Sequence, residues 1–118
     1  MTLHILNREN SLLEVFLSEI RDIKIQHDRM RFRRNLERVG EIMAYEISKT
    51  FAYAPHTIET PINPIDVQLP AQDIVIATIL RAGLPFHQGF LNYLDHAENA
   101  FISARRAYNR AEETMEVR

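Results

Sequence analysis

Arg81 is the residue of this chain best placed to do chemistry. It stands in Asp73-Ile-Val-Ile-Ala-Thr-Ile-Leu-Arg-Ala-Gly-Leu-Pro-Phe86, between an apolar run and a proline. A guanidinium stays charged at physiological pH and grips phosphate oxygens two at a time. Gly83 allows a positive φ and a close backbone approach, and Pro85 suits a first helical turn. Backbone N–H groups and the helix dipole at such a turn attract anions at the end of a strand in open α/β sheets. The segment points to a phosphate or pyrophosphate ligand.

The elements that must carry this loop are legible around it. Six of the seven residues from Ile74 to Leu80 are apolar, the pattern of a strand covered on both faces in a parallel sheet. A short helix is expected from Pro85 to about Leu94, and Ala100-Phe-Ile-Ser-Ala104 reads as a second core strand. Upstream, Ser11-Leu-Leu-Glu14 has the form of a capping box. Leu12, Leu13, Phe16, Leu17 and Ile20 then make one stripe, so a helix is expected over 10–21. From Asp28 to about Lys49 the stripe Phe32, Leu36, Val39, Met43 and Ile47 predicts a longer helix. Gly40 inside it implies close packing against another element. Thr2–Leu6 is expected as an edge strand, and the proline-rich stretch 54–64 as a connection or edge strand. Two helices and only two convincing inner strands make a poor sheet, so the chain reads as the first part of an α/β domain.

Bulk properties narrow the classes. The chain has 118 residues, 46% apolar and 25% charged, which allows one domain at most. A net charge of −2 gives no general field for nucleic acid or anionic membrane. The absence of cysteine excludes disulfides, thiolate metal sites and a cysteine nucleophile. No secretory leader is recognisable at Met1–Leu6 and no apolar run reaches membrane-spanning length, so the expectation is cytoplasmic. Arg29, Arg31, Arg33, Arg34 and Arg38 cluster on the long helix, but Asp28, Glu37 and Glu41 interleave, as on a solvated, ion-paired face. The five histidines show no metal-ligand spacing. His87 falls near the loop, where a surface or supporting place is favoured over proton transfer. Tyr45, Tyr93 and Tyr108 are assigned to packing.

The run Ile79-Leu-Arg-Ala-Gly-Leu84 resembles the loop by which the uracil phosphoribosyltransferases, type I phosphoribosyltransferases, bind the pyrophosphate of phosphoribosyl pyrophosphate. Arg33-Arg-Asn-Leu-Glu-Arg38 and Glu41-Ile-Met-Ala-Tyr-Glu-Ile47 are similar to that family's long N-terminal helix, and Ile58-Glu-Thr-Pro61 to its first short strand. Gly89-Phe-Leu is similar to the helix after the loop, and Phe101-Ile-Ser-Ala104 to the next core strand. The ordered set is more specific than the loop alone.

The resemblance implies the N-terminal part of a type I phosphoribosyltransferase fold. Residues 1–50 would form a helical extension and residues 51–118 the first part of a parallel core sheet with flanking helices. It implies uracil and phosphoribosyl pyrophosphate as substrates, UMP and pyrophosphate as products, Mg²⁺ as companion ion, and a homodimer or larger homo-oligomer. Arg81, Ala82 and Gly83 match the pyrophosphate loop. A second phosphate-binding arginine falls on Arg106 when counted from the strand, or on Arg110 when counted back from Glu112-Glu-Thr-Met-Glu116; strand register favours Arg106. No side chain is assigned as nucleophile or general acid–base. The family's ribose-phosphate loop and uracil-binding segment have no counterpart here, so the chain is expected to be incomplete and inactive alone. Two other readings stand beside it: a non-catalytic regulatory or dimerisation module, and a helical nucleic-acid binder built on 28–49.

Overall fold

The computed structural model describes residues 2–108 and 113–117. Two helices come first, α1 (Leu13–Arg21) and α2 (Arg29–Ser48). An antiparallel hairpin follows, β1 (Tyr53–Ile58) and β2 (Ile65–Pro70). Then β3 (Val75–Leu80), α3 (Leu84–Tyr93) and β4 (Glu98–Tyr108) form a strand–helix–strand unit with β3 and β4 parallel. The strand β5 (Glu113–Val117) pairs antiparallel with the far end of β4, so the sheet order is β3-β4-β5.

Asp28 caps α2, its carboxylate accepting the Arg31 N–H at 3.0 Å. At α1 the capping box does not close as its spacing suggests. Ser11 Oγ accepts from Leu13 N–H, while the Glu14 N–H goes to the Ser11 carbonyl, and the helix starts at Leu13. Thr2–Leu6 forms no strand. Leu6 instead lines a crevice with Glu46, Ile47 and Thr50 near the end of α2. The proline-rich stretch is β1 and the turn after it. Its partner β2 escaped the sequence reading, although Ile65, Val67 and Leu69 alternate there with Asp66, Gln68 and Pro70.

The core is thin and lies around α2. Among the described residues the buried apolar side chains are Leu13, Val39 and Ala44. At about 100° per residue, the Phe32–Ile47 stripe falls between two buried patches of α2. Asn35 and the stripe's own Val39 lie at one edge of it, Gly40 and Ala44 beyond the other. The first pair lies toward α1, through the bond from Asn35 Nδ2 to Glu19; the second lies toward α3. Gly40 makes the close approach its position implies. A Cβ there would sit 2.5 Å from the Phe86 carbonyl oxygen, and Gly89 of α3 faces it across the crossing. Small residues on both helices let the backbones touch.

The sheet is covered on one side. Ile76, Thr78 and Leu80 lie toward α3, while Val75 and Ile79 are 60% and 59% exposed on the other face. Ile102 pairs with Ile79 in register and is exposed with it. The apolar run of β3 suits burial on both faces, and only one is provided. The radius of gyration, 18.9 Å, exceeds the roughly 13 Å expected of a compact domain of this length.

Candidate anion-binding site

The loop after β3 is built by short main-chain bonds. Gly83 N–H donates to the Ile79 carbonyl at 3.2 Å, and Leu84 N–H to the Arg81 carbonyl at 3.1 Å. His87 N–H then donates to the Gly83 carbonyl at 2.8 Å, which starts α3 directly from the loop. The Leu80–Arg81 peptide bond is cis. Pro85 occupies the first turn, where a missing N–H costs nothing. Arg81 and Ala82 are exposed, and Gly83 is half-buried.

Gly83 is required for space and not for a left-handed backbone. Its φ is −75° and its ψ −9°, an ordinary helical conformation. A Cβ at this position would overlap Thr78 Oγ1 and lie 2.8 Å from the Ile79 carbonyl oxygen. The loop folds back tightly on its own strand, and any side chain at 83 would lift it. The turn thus presents Arg81 outward at the C-terminal end of β3 and at the N-terminus of α3.

The second arginine is placed less directly. Parallel pairing of β3 with β4 ends at Leu80 opposite Ser103, and from Ala104 onward β4 pairs with β5. Arg106 therefore lies inside a strand, opposite Met115, and not in a loop after one. The backbone carries it about 10 Å beyond Ser103, past the same end of the parallel pair that bears Arg81. Arg110 lies outside the described residues.

The histidine near the loop is not on the surface. His87 is 4% exposed, with Nε2 2.5 Å from Asn99 Oδ1 on β4 and its ring 5.1 Å from that of Phe101. The packing roles of Asn99 and Gly89 have no local signal, because their partners are distant in the chain. Tyr45 and Tyr93 are largely exposed and are not core residues. Arg31 pairs with Glu19 and Asp28, Arg34 with Glu37 and Glu41, and Arg38 with Asn35 and the Phe16 ring. These arginines serve the helical layer. The Asn35 amide, with Arg31 and Arg38, holds the Glu19 carboxyl below its ordinary range.

A mainly apolar cleft of about 290 Å³ lies behind the loop, lined by Ile47, Phe51, Thr78, Phe86, His87 and Phe90 among others, and Arg81 is not in its lining. Among the described residues no three His, Asp or Glu side chains are grouped to hold a metal. No described helix is long and apolar enough to cross a membrane.

A parallel strand–helix–strand unit with an arginine–glycine loop at the end of its first strand defines an α/β fold. The family is more specific than that. The family model for uracil phosphoribosyltransferase matches residues 7–117, and the chain belongs to that family. The uracil phosphoribosyltransferase of Porphyromonas gingivalis is 58% identical over 103 residues, covering 87% of this chain and 48% of that protein. The uracil phosphoribosyltransferase of Sulfolobus acidocaldarius is 37% identical over 109 residues, covering 90% of this chain and 49% of its own length. The chain spans about half the length of these curated relatives. The fold is also shared with the solved AQ2163 protein from Aquifex aeolicus. The TM-score is 0.74 at 23% identity, covering 96% of this chain and 54% of the other.

Proposed function

We propose that this chain carries the pyrophosphate-binding part of a uracil phosphoribosyltransferase site. The observation that carries the reading is Arg81-Ala82-Gly83 at the junction of β3 and α3, in a chain of that family. In the reaction, a ring nitrogen of uracil displaces pyrophosphate from the anomeric carbon of phosphoribosyl pyrophosphate, giving UMP. Negative charge grows on the departing pyrophosphate, and fixed cations and donors are most useful there. Arg81 supplies a guanidinium fork at the loop, and the N-terminal end of α3 supplies the helix dipole. Arg106 is the second phosphate-binding arginine, with Arg110 the less favoured choice. Mg²⁺, when bound, neutralises substrate oxygens. No side chain is given a nucleophilic or general acid–base role.

The same reading assigns the chain to the cytoplasm and makes it inactive alone, in keeping with its spanning about half the length of its curated relatives. It also gives a homodimer or larger assembly, supported by the bare apolar face of Val75, Ile79 and Ile102. That face equally suits the alternative of a non-catalytic regulatory or dimerisation module.

Calorimetric titration with inorganic pyrophosphate tests the site. The chain should bind it, Arg81→Ala should weaken binding about ten-fold or more, and Arg106→Ala should weaken it while Arg110→Ala does not. Uracil conversion to UMP by the isolated chain, at a rate that Arg81→Ala leaves untouched, would sink the reading. Light scattering after size exclusion reads the assembly, and a strict monomer would remove that part.

A further inference from the structure

We propose that His87 is a positioning residue for the Arg81–Gly83 loop, an inference that rests on reading this loop as the anion site. Four contacts make a closed circuit through it. The His87 main chain holds Gly83, its N–H donating to the Gly83 carbonyl at 2.8 Å. The imidazole then crosses from α3 to β4, where Nε2–H donates to Asn99 Oδ1 at 2.5 Å and the ring packs on Phe101. Phe101 is the register partner of Thr78 on β3, and Asn99 that of Ile76. Thr78 closes the circuit, because Gly83 rests against its Oγ1 with no room for a Cβ. The loop is thus pinned from below by β3 and from behind by α3, and His87 fastens α3 to the sheet. Besides Asn35, His87 is the buried polar side chain among the described residues. Its Nδ1 has no partner among them, so the Asn99 contact is the polar bond that holds the ring.

A residue that only filled space would be replaceable by another ring. A residue that positions the loop needs the donor at Nε2. His87→Gln retains an N–H near that point, and His87→Phe retains the ring and loses the donor. Two readouts are taken on each variant: pyrophosphate affinity by calorimetry, and amide hydrogen exchange of Gly83 and residue 87 by NMR. His87→Phe should bind pyrophosphate about ten-fold more weakly and exchange these amides about ten-fold faster, as loss of this part-buried bond predicts. Exchange at Ile76 and Thr78 should stay at the wild-type rate. His87→Gln should remain within about three-fold of wild type in both readouts.

The proposal is overturned if His87→Phe matches wild type, if His87→Gln is as impaired as His87→Phe, or if exchange quickens equally throughout β3. Should His87→Phe fail to fold, Asn99→Leu removes the acceptor with His87 in place and must show the same local pattern. If wild type binds no pyrophosphate, the anion reading fails. The exchange rates at Gly83 and residue 87 then still decide whether His87 holds the loop.

Discussion

Gly89→Ala should destabilise this protein even though alanine is the better helix former. Taken on propensity alone, the change stabilises α3 by about 1 kcal/mol. The structure opposes it. An added Cβ would overlap the Glu37 carbonyl oxygen and lie 2.9 Å from both Glu41 N and Gly40 Cα. All three are main-chain atoms of α2, and none can rotate away. Relief requires α3 to move off α2 as a body, thinning a core that is already small. Overpacking of this kind costs about 1–3 kcal/mol, and backbone obstacles place Gly89 toward the upper end. The net loss is then about 1–2 kcal/mol, or roughly 4–8 °C in Tm for a chain of this size. Gly40→Ala meets the Phe86 carbonyl oxygen at 2.5 Å and should lose less. The double variant should lose less than the sum, because one displacement relieves both clashes. Urea and thermal unfolding followed by circular dichroism at 222 nm measure all three. A Gly89→Ala protein as stable as wild type would refute the helix crossing and the placement of the loop that α3 carries.

Three further outcomes follow from the same geometry. Arg81→Ala should lower pyrophosphate affinity about ten-fold or more with little change in Tm, because the side chain is exposed and charge-assisted bonds to phosphate are the strong ones. Calorimetry and melting on one sample check it, and a fall in Tm equal to that of Gly89→Ala would contradict it. Gly83→Ala should weaken pyrophosphate binding by a similar factor through displacement of the loop, and pairing it with Thr78→Ala should recover part of the loss. Failure of Gly83→Ala to alter binding would show that the loop does not need its tight fold. Glu19 titrates below its ordinary value near 4.5, chiefly through the Asn35 amide. It therefore contributes stability present above that value and lost as pH falls through the depressed folded value. Asn35→Ala should be less stable at pH 7 and lose stability less steeply below pH 4.5; parallel profiles for the two proteins would reject the coupling.

The legible parts of the fold were those encoded within a few residues of themselves. The stripe on α2, the apolar run of β3 and the Pro85 start of α3 are local periodicities, and the elements formed where these lie. Gly40 announced a close approach because glycine inside a helix needs a reason. Its partner Gly89 gave no warning, since α3 is short and apolar on most sides. Thr2–Leu6 shows the limit of propensity, for an apolar segment needs an edge to pair with before it becomes a strand. At the site, Arg81 and Gly83 could be read from the loop. The support beneath them could not. Thr78 reads as one more strand residue, and Asn99 gains its meaning only when parallel pairing sets β4 beside β3 and brings it under His87.

That pairing also shows that Gly83 is needed for a reason other than the one its type suggests. Glycine at a tight loop is usually read as freedom of φ, yet φ here is one that any residue adopts. What excludes a side chain is the Thr78 hydroxyl and the Ile79 carbonyl, both belonging to the strand the loop leaves. The loop is therefore part of the sheet's own end, pressed onto β3 and not draped over it. Its position depends on β3 staying registered with β4, and β3 has an apolar face that α3 does not cover. A body packed against Val75 and Ile79 would stiffen the strand beneath Arg81. The bare face and the loop share that one six-residue strand, and the proposed site would be coupled to packing through it. A ligand at the loop should then strengthen association at that face, and association should tighten the ligand by the same factor.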